Sequence, residues 1–219
     1  MITLLMPLFG LLLVRESACQ SQPSAQAWNN NWQANFTEKA WYFLEGNRTV
    51  TGQWKYKYDQ NDQRFLIARD DGSVDRYCAG IFPFSQTKCS HLVINSNRYL
   101  VFPDKKYCCL CCTSKNGCGM SKPSWVVNGT YVSQSQVGQD TVSLYNIAGL
   151  QNNYYGVDQN QIPRRIYMEP LTDMSFDPKS YVVGQLTDGD FNLPTDSGNC
   201  NSACPYLSLC GLVRIGSAS

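Results

Sequence analysis

The chain has 219 residues, a formal net charge of +1 and a sequence pI near 7.4. Its 18 basic and 17 acidic side chains exclude the charge footprint of a nucleic-acid binder and supply no basic run for an anionic membrane surface. Eleven cysteines in a chain of this length point to an oxidising compartment.

Met1–Val14 is a mostly apolar run followed by Arg15-Glu16. It has the length of a secretory h-region and is too short to cross roughly 30 Å of hydrocarbon. Small residues at Ser17-Ala18-Cys19 and at Ala25-Gln26-Ala27 place cleavage after Cys19 or after Ala27. The competing reading is a buried N-terminal helix. Cleavage removes Cys19 and leaves an even set: Cys78, Cys89, Cys108, Cys109, Cys111, Cys112, Cys118, Cys200, Cys204 and Cys210. No later stretch has transmembrane length, so the mature protein is not expected to be integral to a membrane. Sequons at Asn35, Asn47 and Asn128 add expected N-glycans, and the destination is extracellular or a lumen of the endomembrane, including lysosomal, system.

Residues 20–36 are rich in Gln, Asn and Ser and read as a polar arm ahead of a single domain over 37–214, with a tail at 215–219. Residues 37–44 fit either a helical turn capped by Thr37 or a first strand. Gly52–Tyr58 alternates strictly, with Trp54, Tyr56 and Tyr58 on one face and Lys55 and Lys57 on the other. Arg64–Arg69 returns as its hairpin partner. Charged lysines are not buried unpaired, so the lysine face is expected to meet water. The aromatic face, with Phe65 and Ile67, then points inward. Further hairpins are predicted over 91–94 with 98–102, 130–137 with 141–147, and 153–157 with 165–168, and a last strand over 181–186. The sum is a mainly β domain, one curved or closed antiparallel sheet with short helices or loops.

Cys108-Cys-Leu-Cys-Cys112 with Cys118 is the most unusual segment. Redox catalysis would need a thioredoxin-like βαβ setting that is absent from the sequence. Zinc would pair the cluster with Cys200 and Cys204 as thiolates, which an oxidising lumen converts to disulfides. Structural disulfides are therefore expected and no metal ligands are assigned. If the segment is extended, Cys109 and Cys111 share one face, and Cys108 and Cys112 the other. Connectivity stays open, since ten cysteines allow about 945 pairings.

His91 is the single histidine, and Cys89-Ser-His91 invites a thiol–imidazole mechanism. The plainer reading, a strand residue beside a disulfide, is preferred. Asp188-Gly-Asp190 offers at most a weak Ca²⁺ site and matches no EF-hand loop. No nucleophile elbow or phosphate-binding loop occurs, so no catalytic residue and no cofactor are assigned. Trp54, Tyr56, Tyr58, Phe65 and Ile67 are the candidate lining of a ligand cavity.

Gly52-x-Trp54-x-Tyr56-x-Tyr58, the Arg64–Arg69 return strand, Gly72-x-x-Asp75-Arg76-Tyr77-Cys78, Arg98-Tyr99-Leu100 and Gly149-Leu150-Gln151-x-x-Tyr154-Tyr155 follow one another along the chain. Pro163-x-Arg165-Ile166, Phe176-Asp177-Pro178, Phe191-x-Leu193-Pro194 and Cys200-x-x-x-Cys204-Pro205-x-x-x-x-Cys210 continue the series. In this order and spacing, from about residue 50 to 214, the chain resembles the ependymin-related secreted proteins and, more distantly, lipoprotein carriers of the LolA/LppX type. The resemblance implies a strongly bent antiparallel sheet enclosing a hydrophobic cavity for a lipid or other apolar ligand. In animal members calcium is also associated. The cysteines from Cys108 to Cys118 depart from the animal pattern. The leading expectation is a non-enzymatic secreted binder of a hydrophobic small molecule or lipid. The alternatives are a structural or cell-surface glycoprotein with a filled core, and a thiol-based redox enzyme.

Overall fold

The computed structural model describes residues 24–42, 46–148, 152–169 and 172–216. The apolar leader, Cys19, the end of the tail and Gly149–Gln151 of the family-like pattern lie outside these residues. The chain forms one open antiparallel sheet with the strand order β6-β5-β4-β3-β2-β1-β11-β10-β9-β8-β7. An N-terminal meander comprises β1 (Asn31–Tyr42), β2 (Gly46–Tyr58), β3 (Gln63–Arg69), β4 (Cys89–Ile94), β5 (Asn97–Phe102) and β6 (Tyr107–Cys112). A C-terminal meander comprises β7 (Thr130–Val137), β8 (Asp140–Ile147), β9 (Asn153–Val157), β10 (Pro163–Met168) and β11 (Thr172–Phe176). The meanders join where β1 pairs β11, and the two-residue β12 (Val182–Val183) continues along β1.

The period-two patterns become the hairpins expected of them. Tyr56 pairs with Phe65 and Trp54 with Ile67 across β2 and β3. Asn95 and Ser96 take φ of 48° and 67°, the backbone a two-residue hairpin turn requires. The predicted last strand shrinks to β12, and β11 emerges from a half-polar stretch that carries little strand signal.

The polar-arm expectation needs correction from Trp28 onward. Strand β1 starts at Asn31 and alternates Trp32, Ala34, Phe36, Glu38 and Ala40 into the interior, all buried. Trp28 is buried too, and its backbone N–H donates to the Pro123 carbonyl at 3.0 Å. Composition hid this because every second residue faces solvent and is Gln, Asn, Thr or Lys. Residues 37–42 are strand, not helix.

One face of the sheet curls around a core that draws Trp32 and Phe36 from β1, Val93 from β4, Tyr145 from β8 and Tyr155 from β9. A flat sheet could not bring side chains from β4 and β8 into one cluster, so the sheet is strongly bent with this face concave. Trp28, from an irregular segment, and Trp125, from a 3₁₀ turn, pack into part of the hollow. The other face, behind β3 to β6, is covered by Leu186, Phe191 and Leu193. That cover narrows the second expectation. The lysine face meets water only in part and its charges are paired: Lys55 pairs with Asp190 at 2.9 Å, and Lys57 pairs with Asp62 and Asp188. The same contacts occupy the carboxylates considered for Ca²⁺.

All ten cysteines after Cys19 are paired: 78–89, 108–200, 109–204, 111–210 and 112–118. Three of these tie β6 to the segment ending in α2 (Leu209–Gly216). Cys109 and Cys111 pack on one side of β6, and Cys108 on the other with Cys200. Cys112 joins the Cys109 side, against strict alternation. A bulge opposite Arg98/Tyr99 inserts one residue and shifts its parity.

Candidate functional site

Strands supply one wall of a cavity and the connecting segments the other. Its volume is about 530 Å³, within the roughly 300–1,000 Å³ typical of small-molecule sites. Trp54 and Tyr56 from β2, and Phe65 and Ile67 from β3, line it. Ile166, Met168 and Met174 face them from the other meander, and Met120 and Trp125 close over the hollow. Trp28 is the hub of the aromatic side, edge-on to Trp32, Tyr56 and Trp125 at centroid distances of 5.2–5.4 Å. Tyr58 is set apart from the other four candidates: it stacks on Tyr56 at 6.5 Å and is absent from the lining. Tyr56 is fully buried and its hydroxyl donates to the Ser121 carbonyl at 2.8 Å.

The other end of the cavity is charged. Glu38, Arg69, Asp75, His91 and Arg98 all line it. Arg69 donates through Nε and Nη2 to both Glu38 oxygens, at 2.6 and 3.3 Å, and Thr172 donates to Glu38 Oε1 at 2.6 Å. Arg69 Nη1 lies 3.4 Å from Asp75 Oδ2. Asp75 also accepts from the backbone N–H groups of Tyr77 and Cys78, as the cap of the short helix α1 (Arg76–Ala79). His91 Nε2 is 2.8 Å from Asp75 Oδ1, and an ionised carboxylate only accepts, so this nitrogen carries the proton. Burial alone would raise the Asp75 pKa, but His91, Arg69 and the Cys78 N–H outweigh it and hold the carboxyl well below its usual range. Arg98 lies over the rings of Phe65 and Tyr77 at 5.6 and 5.9 Å.

Sequence reading missed this cluster, although the signal was present. Arg69 has the parity of Phe65 and Ile67, and Arg98 that of Leu100 and Phe102, so alternation already aims both guanidiniums inward. Two disulfides brace this end. Cys78–Cys89 holds α1 against β4, and Cys112–Cys118 closes the loop just before the lining residues Gly119–Ser121. Asp75, Cys78 and His91 present ligand-type atoms within 4.8 Å of one another, but the Cys78 sulfur is bonded to Cys89. The thiol–imidazole idea meets the same fact, because Cys89 carries no free thiol beside His91.

Burial, opposed only in part by Asp75, holds the His91 pKa below the ordinary imidazole value. A depressed histidine pKa favours the neutral ring in the folded state. The stability this carries is present above the unfolded-state value of about 6.5 and is lost as pH falls through it. With no second histidine in the chain, the melting temperature should fall from pH 7 to pH 5, and His91→Gln should flatten that slope. A wild-type melting curve unchanged over the interval would contradict a buried neutral imidazole.

The three exposed asparagines of the sequons, Asn35, Asn47 and Asn128, stand away from this cavity lining. No protein-family model matches the chain, and no curated protein matches its sequence. Among solved structures, an uncharacterised conserved protein from Thermus thermophilus aligns at 8% identity and a TM-score of 0.47, over 77% of this chain and 88% of that one. A LolA superfamily protein from Nitrosomonas europaea aligns at 11% identity and a TM-score of 0.37, over 75% and 91%. A DUF1329 family protein from Desulfovibrio piger aligns at 9% identity and a TM-score of 0.38, over 75% and 90%.

Proposed function

We propose that this chain is a secreted, N-glycosylated, non-enzymatic binder of a lipid or similar hydrophobic molecule, related to the ependymin group. The observation that carries the reading is the cavity itself. A curved sheet with a filled core would leave no such space, whereas here aromatic and aliphatic side chains of both meanders surround about 530 Å³. Burying apolar ligand surface against that wall contributes roughly 25 cal/mol per Å², so a single acyl chain supplies enough for micromolar binding after ordering costs. Exposure of all three sequon asparagines is compatible with glycans, and no helix among the described residues is long and apolar enough to cross a membrane.

Binding should quench or shift tryptophan emission, since Trp28, Trp54 and Trp125 line the space. Ile67→Trp fills the cavity from a partly buried lining position, in contrast to Tyr56, whose replacement by a charge would break the core. The variant should keep the wild-type far-UV spectrum and a cooperative melt, and lose lipid-induced thermal stabilisation. Native mass spectrometry of protein from its own source, followed by lipid extraction, should find a bound lipid. If none co-purifies and no lipid class alters emission or melting, the filled-core structural glycoprotein takes this reading's place.

A further inference from the structure

We infer that the cavity takes an amphiphile with an anionic headgroup, a carboxylate or a phosphate, received by Arg98 and Arg76 at the end beside Tyr77, with its apolar part along Trp54, Phe65 and Ile67. This rests on the reading of the cavity as a ligand site and adds the charge of what enters it.

The charges around the lining do not balance. Three guanidiniums, Arg69, Arg76 and Arg98, face two carboxylates, Glu38 and Asp75. His91 is held neutral, which leaves one positive charge in excess. The carboxylates are already used. Glu38 accepts from Arg69 twice and from Thr172, and Asp75 accepts from His91 and two backbone N–H groups. Neither is available to attract a cationic headgroup. Arg69 is spent on the same two carboxylates.

Arg98 differs. It makes no ion pair among the described residues. Nη2 donates to the Gly119 carbonyl at 3.1 Å, and its buried Nε meets no hydrogen-bond partner. Burial pulls its pKa below the ordinary arginine value, and Tyr77 and Asp75 only partly restore it, the direction expected of a cation short of counter-charge. Arg76, exposed on α1, also lacks an ion pair among the described residues, and its guanidinium lies 5.8 Å from the Tyr77 ring centroid. The two arginines therefore flank one aromatic ring at the charged end of an apolar cavity. Each guanidinium suits the planar, bidentate recognition of a carboxylate or phosphate. A neutral lipid would fill the apolar part and leave Arg98 as it is.

The test uses mature protein, delipidated and with all five disulfides confirmed by mass. It is titrated with cis-parinaric acid and with its uncharged methyl ester, both followed by their own fluorescence. The acid should bind about ten-fold or more tightly than the ester, the scale of a charge-assisted hydrogen bond. Arg98→Met should remove that preference, weakening the acid about ten-fold more than the ester. Arg98→Lys should restore part of it, and Arg76→Gln should weaken the acid alone. Displacement by a monoacyl phosphate against displacement by an unlabelled fatty acid then identifies which anion is preferred. Equal binding of acid and ester by the wild type, or an Arg98→Met that weakens both alike, overturns the headgroup inference and leaves the cavity reading standing. Failure of both probes to bind overturns the cavity reading and this inference with it.

Discussion

Removal of all three disulfides between β6 and the C-terminal segment should unfold the domain or detach that segment, whereas removal of any one should cost much less. Cys108–Cys200, Cys109–Cys204 and Cys111–Cys210 span sequence separations of 92, 95 and 99 residues. Taken singly, a loop of that length corresponds to about 4.7 kcal/mol of denatured-state entropy. The three loops overlap over most of their length, each starting and ending a few residues after the one before, and are not independent. Once one bond exists, the other two close only the short stretches between neighbouring cysteines, for which the same relation gives roughly 3 kcal/mol or less. Cys111→Ala/Cys210→Ala should therefore lower stability by about 2–3 kcal/mol, including the packing lost around a fully buried pair. The variant lacking all three bonds loses the long-loop term as well. That total competes with the whole stability of roughly 5–15 kcal/mol of an ordinary domain. It also uncouples Leu186 and Phe191 from the back of the sheet. Urea unfolding of the single-pair variant, and limited proteolysis beyond residue 186 in the triple-pair variant, check both halves. A single-pair variant as unstable as the triple would show that the bonds do not share one constraint.

The hairpins were legible because each carries its own evidence. Trp54-Lys-Tyr-Lys-Tyr58 states its period within five residues, and Asn95-Ser-Asn97 states its turn. What could not be read locally are the features that depend on distant partners. The cysteine pairing follows from β6 lying at one edge of the sheet with the C-terminal segment beside it, through Leu110 and Ala203. No spacing in the sequence encodes that neighbour. The start of the domain was hidden for a different reason. In β1 the inward positions include small Ala34 and Ala40 and charged Glu38, so the apolar half of the alternation is broken, and the outward half looks like a polar arm. The charged end of the cavity was half legible. Strand parity aims Arg69 and Arg98 inward, but only the fold shows that Glu38 and Asp75 come from two other parts of the chain to meet Arg69, with Thr172 donating to Glu38 from a third.

That meeting point carries the second large effect. Glu38→Ala should destabilise the protein by about 3–5 kcal/mol, the cost of leaving a buried guanidinium without its main partner. Glu38 and Arg69 are 2% and 6% exposed, so the pair is almost wholly withdrawn from water in the intact protein. The residue also lies at the seam of the fold. Glu38 sits on β1, Arg69 on β3 and Thr172 on β11, so its two oxygens tie the N-terminal meander to the C-terminal one. Asp75 would hold part of the Arg69 charge and raises the Arg69 pKa together with Glu38, against burial that lowers it. Its ion pair at 3.4 Å is the longer of the two, however, and its lone pairs already serve α1 and His91. The double variant Glu38→Leu/Arg69→Met separates the cost of an orphaned charge from the worth of the pair. Replacing a buried pair by apolar side chains of similar volume is often neutral or stabilising by about 1–4 kcal/mol. Here Asp75 would lose Arg69, so the double variant should regain most of the loss and stop short of exceeding the wild type. Urea unfolding of the two variants reads this directly. A Glu38→Ala protein within about 1 kcal/mol of wild type would mean that the pair is hydrated, as surface pairs are. A double variant no better than Glu38→Ala would mean that the loss comes from packing at the seam, with the charge of Arg69 contributing little.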